Sequence, residues 1–385
     1  MDRFIKIATI PLLIGIAVLG YMTMRPQPVG VTPEPAASAE PAEQDAPPEV
    51  AQSQTIKIDL SAEADQPDEP LVRNTSQHDN AQGRYIPLGQ IERRGTGPVN
   101  MILIAGNGET WEIWDAFMDR NADSYTMWAV TLPGFGGGEM AEIGLENGGY
   151  LRRAWIKNAG RAVLGLINDE GITDPVLMGH QIGGQLAVYI SLAVPETASS
   201  VISLDGEPVF ILGDPTWRPT DQDRHAMVTT QIAPQLATMK PKDWASRQRY
   251  TPETYIRDKV RGKIIGEMIA QAPMEAMHQY IKEFALNDLT GPLATSTVPT
   301  LFVGPFYHYE DETFRIDREV RWFDMLADAP GIVQIVFFYN SSSWITEDQP
   351  EYLDEAVRAF LAGEEVVGSP PLDPFAEESQ APDDQ

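Results

Sequence analysis

The sequence predicts an α/β fold, and three observations carry that prediction. Residues 175–195, PVLMGHQIGGQLAVYISLAVP, read as a short buried strand, a tight turn bounded by Gly179 and Gly183, and a helix. Further strand-like apolar runs lie in 99–108 (VNMILIAGNG), 126–138 (TMWAVTLPGFGGG), 201–206 (VISLDG), 300–304 (TLFVG) and 332–338 (IVQIVFF). Residues 253–286 place apolar side chains three and four positions apart, the spacing of amphipathic helices. A folded part of about 300 residues suits one such domain carrying an insertion.

From the amino terminus, residues 1–25 hold an uncharged apolar run, IATIPLLIGIAVLGYMTM at 7–24, after a start that carries Arg3 and Lys6. Its length just suffices to cross a bilayer, which predicts a membrane anchor. A cleaved signal segment is the alternative, but the nearest small-residue cleavage pattern, Ala37-Ser38-Ala39, lies far beyond the run. Either way the globular part is expected on the extracytoplasmic side, tethered to the membrane or else secreted or periplasmic. Residues 26–55 are dense in Pro, Ala and Glu and predict a disordered linker, because they cannot bury enough apolar surface to offset ordering entropy. A domain at 56–365 follows, and 366–385 predicts a disordered acidic tail.

The chain has 28 basic and 56 acidic residues, a formal charge of −28. Nucleic acid is therefore excluded as an expected partner, since phosphate binding needs a basic footprint. With no cysteine, disulfides, thiolate catalysis and Cys-ligated zinc are excluded. No P-loop, H-E-x-x-H or EF-hand pattern occurs, so neither a cofactor nor a metal is expected. Gly134 to Gly138 lacks the downstream Lys and Ser or Thr of a phosphate loop and reads as a structural turn.

Taken in order, these segments resemble the α/β-hydrolase superfamily over roughly 84–362. Residues 99–108 resemble its third strand and the small-residue loop that supplies part of an oxyanion hole, here Gly106 and Asn107, with Ile182 after the elbow. Residues 111–115 resemble the helix opening that follows, where Trp114 would pack. Residues 126–138 resemble the next strand and turn, with Thr131 where an acid is usual. Residues 179–183, GHQIG, resemble the nucleophile elbow G-x-S-x-G, and PEYLDEAVRAFLAG resembles the closing helix. The resemblance implies a mostly parallel sheet flanked by helices, with a helical lid at about 207–298, where Met239, Met268, Met274 and Met277 read as lid-to-core packing or, alternatively, as the wall of a ligand pocket.

Against that pattern, the elbow position holds Gln181, whose carboxamide is no nucleophile for acyl transfer. The loop at 339–349, where the superfamily places its catalytic His, contains no His, and Ser343 is the expected occupant of that place. The acid would be Asp205, or Glu310 or Asp311 after the next strand. His180 is expected to support the turn, and the trio His308, Glu310 and Asp311 reads as a solvated loop. The resulting expectation is a membrane-tethered pseudoenzyme, binding a small apolar ligand or a protein partner through the pocket or lid. The alternative is an active esterase-like hydrolase with rearranged catalytic residues.

Overall fold

The computed structural model describes residues 86–140, 154–210, 219–307 and 312–370. The expected membrane anchor, the linker, the domain's first residues, His308 to Asp311 and most of the acidic tail lie outside the described residues. Among the described residues no helix is long and apolar enough to cross a membrane.

Seven strands form one sheet: β1 (Ile91–Arg94), β2 (Val99–Ile104), β3 (Tyr125–Val130), β4 (Val176–His180), β5 (Ser200–Leu204), β6 (Thr300–Tyr307) and β7 (Val333–Ser341). Their order is β1-β3-β2-β4-β5-β6-β7. Only the β1 to β3 pairing is antiparallel; the other neighbours run parallel. β3, β4, β5 and β6 are buried along their whole length and β2 along its last four residues, as a parallel sheet covered on both faces requires. β1, with the half-exposed sequence IERR, carries too little apolar signal to be read from sequence.

Alternation along the strands divides the core. On one face Ile102, Ile104, Leu177 and Phe302 meet α2 (Ala154–Asp169), α3 (Ile182–Ala193) and Trp322. On the other, Met101, Leu103, Met178 and Val303 meet Phe117 of a helix at Asp115–Asn121, here α1, and Leu353 and Val357 of the closing helix. Trp114 is fully buried beneath that face, in the helical turn expected there. The result is a three-layer sandwich whose strand ends converge on the loops after β2, β4, β5 and β7.

The expected insertion between β5 and β6 is helical. It contains α4 (Asp221–Met227), α5 (Pro241–Tyr255), α6 (Lys259–Ala270) and α7 (Met274–Leu286). Two more helices, α8 (Glu312–Met325) and α9 (Pro350–Ala362), complete the flanking layers. The lid is tied to the body by Glu283 of α7, whose side chain is wholly buried. Its Oε2 accepts the N–H groups of Trp155 and Ile156 at 2.9 and 3.0 Å, and its Oε1 accepts Nε2 of Gln279 at 2.8 Å. Both backbone donors belong to the first turn of α2, where helical amides have no intrahelical acceptor and a carboxylate is favoured by the dipole.

Burial nevertheless pushes the Glu283 carboxyl up to about 7, against the opposing pull of these hydrogen bonds and of Lys282. Because the folded value exceeds the ordinary 4.5, the folded state holds more protons than the unfolded chain between these limits. Stability from this group is complete below about 4.5 and is lost as pH rises through about 7, on the order of 3 kcal/mol in all. Glu283→Gln keeps the acceptor for α2 and can offer an N–H to the unpartnered Oε1 of Gln279. Relative to wild type, that variant should gain stability as pH rises from about 5 to about 8, read from urea unfolding midpoints.

Candidate functional site

The elbow between β4 and α3 is built as the glycines foretell. Gln181 has φ 48° and ψ −116°, a conformation costly for a residue with a Cβ, on the order of 1–3 kcal/mol. The surroundings enforce it. Gln181 N donates to Leu204 O at 2.8 Å, and its carbonyl accepts Gln185 N at 3.0 Å. Gly179 faces the backbone of Gly183, and Gly183 faces the carbonyls of Ile104 and Ala105, so a Cβ at either position would strike main chain.

Three side chains meet at the top of this turn. Gln181 Nε2 donates to Ser343 Oγ at 2.7 Å, and Ser343 Oγ donates to Asp205 Oδ2 at 2.5 Å. Asp205 Oδ2 also accepts the Tyr307 hydroxyl at 3.0 Å. Of the three candidate acids, the structure brings Asp205 to the site; Glu310 and Asp311 are outside the described residues. Burial raises the Asp205 carboxyl above its ordinary value, opposed by Arg318, Ser343 and His180. Ser343 is 1% exposed, whereas Gln181 is half-buried.

Beneath this chain lies a second one, unforeseen in the sequence because it depends on Glu109. That residue sits in the polar run GNGET, directly after the small-residue loop, yet it is wholly buried. Its Oε2 accepts Gly106 N at 2.7 Å and pairs with His180 Nδ1 at 2.8 Å; its Oε1 accepts Trp344 Nε1 at 2.8 Å. His180 Nε2 lies 2.9 Å from the Ser343 carbonyl and 3.3 Å from its hydroxyl. The Ser343 carbonyl only accepts, so Nε2 donates to it, while Nδ1 shares a hydrogen bond with the Glu109 carboxyl. Burial alone would lower the His180 pKa, but Glu109, helped by Asp205 and the Ser343 carbonyl, raises it above the ordinary 6.5. His180 is thus the expected support of the turn, held at both ring nitrogens.

In the loop after β2, the N–H of Gly106 is held by Glu109 Oε2 at 2.7 Å. Asn107 is 5% exposed; its Nδ2 donates to the Met277 carbonyl at 3.4 Å, and its Oδ1 is buried without a partner. Ile182 opens α3, where the first backbone N–H groups have no intrahelical acceptor. Met277 packs on Gly108 and receives the Trp244 indole N–H on its sulfur at 3.3 Å; Met268 sulfur receives Thr110 N at 3.4 Å. These two methionines therefore do pack lid against body. Thr131 is also accounted for, since its hydroxyl accepts Trp111 N at 3.0 Å. The run from Gly134 is a structural turn, closed by Gly138 N donating to Phe135 O at 2.9 Å. An open groove of about 930 Å³ lies beside α6, among Gln90, Thr110, Glu112, Arg261 and Met268, and Gln181 does not line it. Among the described residues no group of three or more acidic or imidazole side chains could hold a metal ion.

A three-layer sandwich with a strained elbow after its central parallel strand defines a hydrolase-type scaffold, and comparison with known proteins agrees. The profile of the alpha/beta hydrolase family matches residues 101–356, and the chain belongs to that family. Pimeloyl-[acyl-carrier protein] methyl ester esterases are similar to part of it. That of Aeromonas salmonicida is 28% identical over 124 residues, which are 32% of this chain and 44% of the relative. That of Klebsiella pneumoniae is 24% identical over 120 residues, 31% of this chain and 41% of the relative. The chain spans less than half the length of these curated relatives. Among solved structures, a thermophilic esterase from Thermogutta terrifontis superposes with a TM-score of 0.57 at 20% identity, covering 74% of this chain and 97% of the esterase. A bromoperoxidase from Bacillus anthracis gives 0.55 at 14%, covering 71% and 94%. At such identities the likeness is one of fold.

Because one carboxylate holds a loop amide, an indole and an imidazolium, its removal leaves a buried charge and two unpaired donors. Glu109→Ala is expected to cost on the order of 3–5 kcal/mol in denaturant unfolding. The ion pair also fixes a pH dependence. With the folded His180 pKa raised, its contribution is complete below 6.5 and is lost as pH rises through the folded value.

Proposed function

We propose that this protein is a hydrolase-fold binding protein that does not perform serine acyl transfer, and that it uses the elbow pocket or the lid to hold a ligand or partner. The supporting observation is the hydrogen-bond chain Gln181 to Ser343 to Asp205, which fills the places where a nucleophile, a base and an acid would stand. A carboxamide offers no nucleophile at the elbow, and a hydroxyl in the middle of the chain cannot accept a proton at neutral pH as an imidazole does. In this reading residues 1–25 anchor the protein in a membrane, with the globular part on the extracytoplasmic side.

A second reading, an active esterase with rearranged groups, has one specific observation in its favour. Ser343 Oγ, His180 Nε2 and Nδ1, and Glu109 Oε2 follow one another at 3.3 and 2.8 Å, the sequence of a hydroxyl, an imidazole and a carboxylate. Two features weigh against it. The closer neighbour of Nε2 is the Ser343 carbonyl, which calls for a proton already on that nitrogen, and Ser343 is 1% exposed. A base that is already protonated takes no proton from a serine.

A fluorophosphonate probe followed by peptide mass spectrometry separates the two. No serine should be labelled, and short acyl esters should turn over no faster than with heat-treated protein. Labelling of Ser343 would establish the second reading instead. Gln181→Ser alone is expected to remain inactive, because losing the base costs a serine hydrolase roughly 10⁶-fold in kcat. Gln181→Ser with Ser343→His, which sets an imidazole beside Asp205, is the smallest change that supplies both groups. Robust turnover by the single variant would mean that another base is already in place.

The anchoring half has its own measurement. Full-length protein should sediment with membranes and be released by detergent but not by high salt. A soluble product beginning between residues 20 and 45 would show that the segment is cleaved.

A further inference from the structure

We propose that the hairpin formed by α5 and α6 is a docking surface for an anionic lipid bilayer. The inference goes beyond the elbow and does not depend on what the pocket holds.

The charge of the chain is unevenly spread. Residues 240–263, covering α5 and the start of α6, hold eight Lys and Arg against three Asp and Glu, hence +5 within a chain of formal charge −28. The local sign matters because a charge is felt over only about 8 Å at physiological ionic strength, so a surface touching the hairpin senses the hairpin and not the sum. Lys242 on α5, Arg257 between the helices and Lys263 on α6 are exposed. Arg249 and Arg261 are paired with Glu267 and Glu347 at 2.8 and 2.7 Å. Asp258 accepts the N–H groups of Val260 and Arg261 and so caps α6.

Helix packing decides which side chains look outward. Gly262 lies against the backbone of Pro252 and Glu253, and Gly266 against that of Arg249, so the two helices meet main chain to main chain. Ile265 and Ile269 of α6 are buried with Trp244 and Gln248 of α5. Helical periodicity then turns Val260, Lys263 and Ile264 away from the core. Val260 is 70% exposed, Ile264 49%, and Tyr250 on α5 57%. Cations interleaved with protruding apolar side chains suit a lipid interface, where the apolar groups enter the acyl boundary and lysine stems reach back to the headgroups.

Charge complementarity and area together select the occupant. Three protruding side chains fall short of the roughly 800 Å² that each partner buries in a standard protein interface, whereas a bilayer imposes no fixed shape to match. Each cation close to an anionic leaflet strengthens contact about fivefold. The acidic remainder of the domain is repelled, which turns the hairpin toward the surface.

Because the chain has no cysteine, Val260→Cys accepts a single environment-sensitive NBD label. Full-length labelled protein is mixed with vesicles of phosphatidylcholine alone, or of phosphatidylcholine with an equal part of phosphatidylglycerol. An N-terminal anchor would enter either lipid, so the surroundings of the label are read rather than sedimentation. On anionic vesicles the emission should shift to the blue and be quenched by spin-labelled lipid; on neutral vesicles, and on anionic ones in high salt, the label should report water. A label at Glu170→Cys, in the turn before β4 at the other end of the strands, should report water throughout. Adding Lys242→Glu with Lys263→Glu should lower the ratio of lipid-contacting to free hairpin at least about tenfold. Ile264→Asp should lower it as well. Both sets of changes are at exposed positions, circular dichroism confirms folding, and the comparison of lipids decides the question even if a variant misfolds. A label that reports water on both lipids, an equal shift on neutral and anionic vesicles, or a shift that survives charge reversal would overturn the assignment. So would a shift evoked by soluble polyglutamate and not by vesicles, which would make the partner an acidic protein.

Discussion

The buried carboxylate of Glu109 is the group on which the arrangement at the strand ends depends. It joins three loops that are far apart in sequence: the turn after β2 through Gly106, the elbow through His180, and the segment after β7 through Trp344. A buried carboxylate is tolerable only when fully paired, and here three donors converge on its two oxygens. Once it is placed, His180 is held at both nitrogens and the Ser343 carbonyl is held with it. That leaves the Ser343 hydroxyl free to point at Asp205 and Gln181. The upper hydrogen-bond chain thus rests on the lower one.

The lid follows the same logic with a different partner. Glu283 reaches from α7 to the first-turn amides of α2, so the insertion is tied to the body by a carboxylate at a helix start as well as by apolar contact. Met277 and Trp244 complete the closure over Gly108. Two buried acids, one under the elbow and one behind the lid, hold the parts that an apolar core alone would leave unspecified in orientation.

Much of the scaffold was legible in the sequence because its causes are local. Apolar runs announce the inner strands, which are buried on both faces, and Gly179 and Gly183 announce a turn that no Cβ could survive. Ser343 could be placed from its distance to the closing helix, and Asp205 from its position at a strand end. What escaped has nonlocal causes. β1 is half exposed and forms only because β3 offers an edge. Glu109 is a glutamate in a Gly- and Asn-rich loop, and nothing near it in sequence says that an imidazole 71 residues away and an indole 235 residues away will find it. The bond of the Gly106 amide to that carboxylate was hidden for the same reason.

The elbow separates two requirements that are easily confused. Its shape is enforced by the glycines at 179 and 183 and by main-chain contacts, whereas the side chain at 181 bonds to Ser343 and takes no part in the turn's backbone hydrogen bonds. Geometry and reactivity are therefore inherited through different atoms. A lineage can exchange the reactive group without disturbing a single strand, and superposition on esterases will look the same before and after.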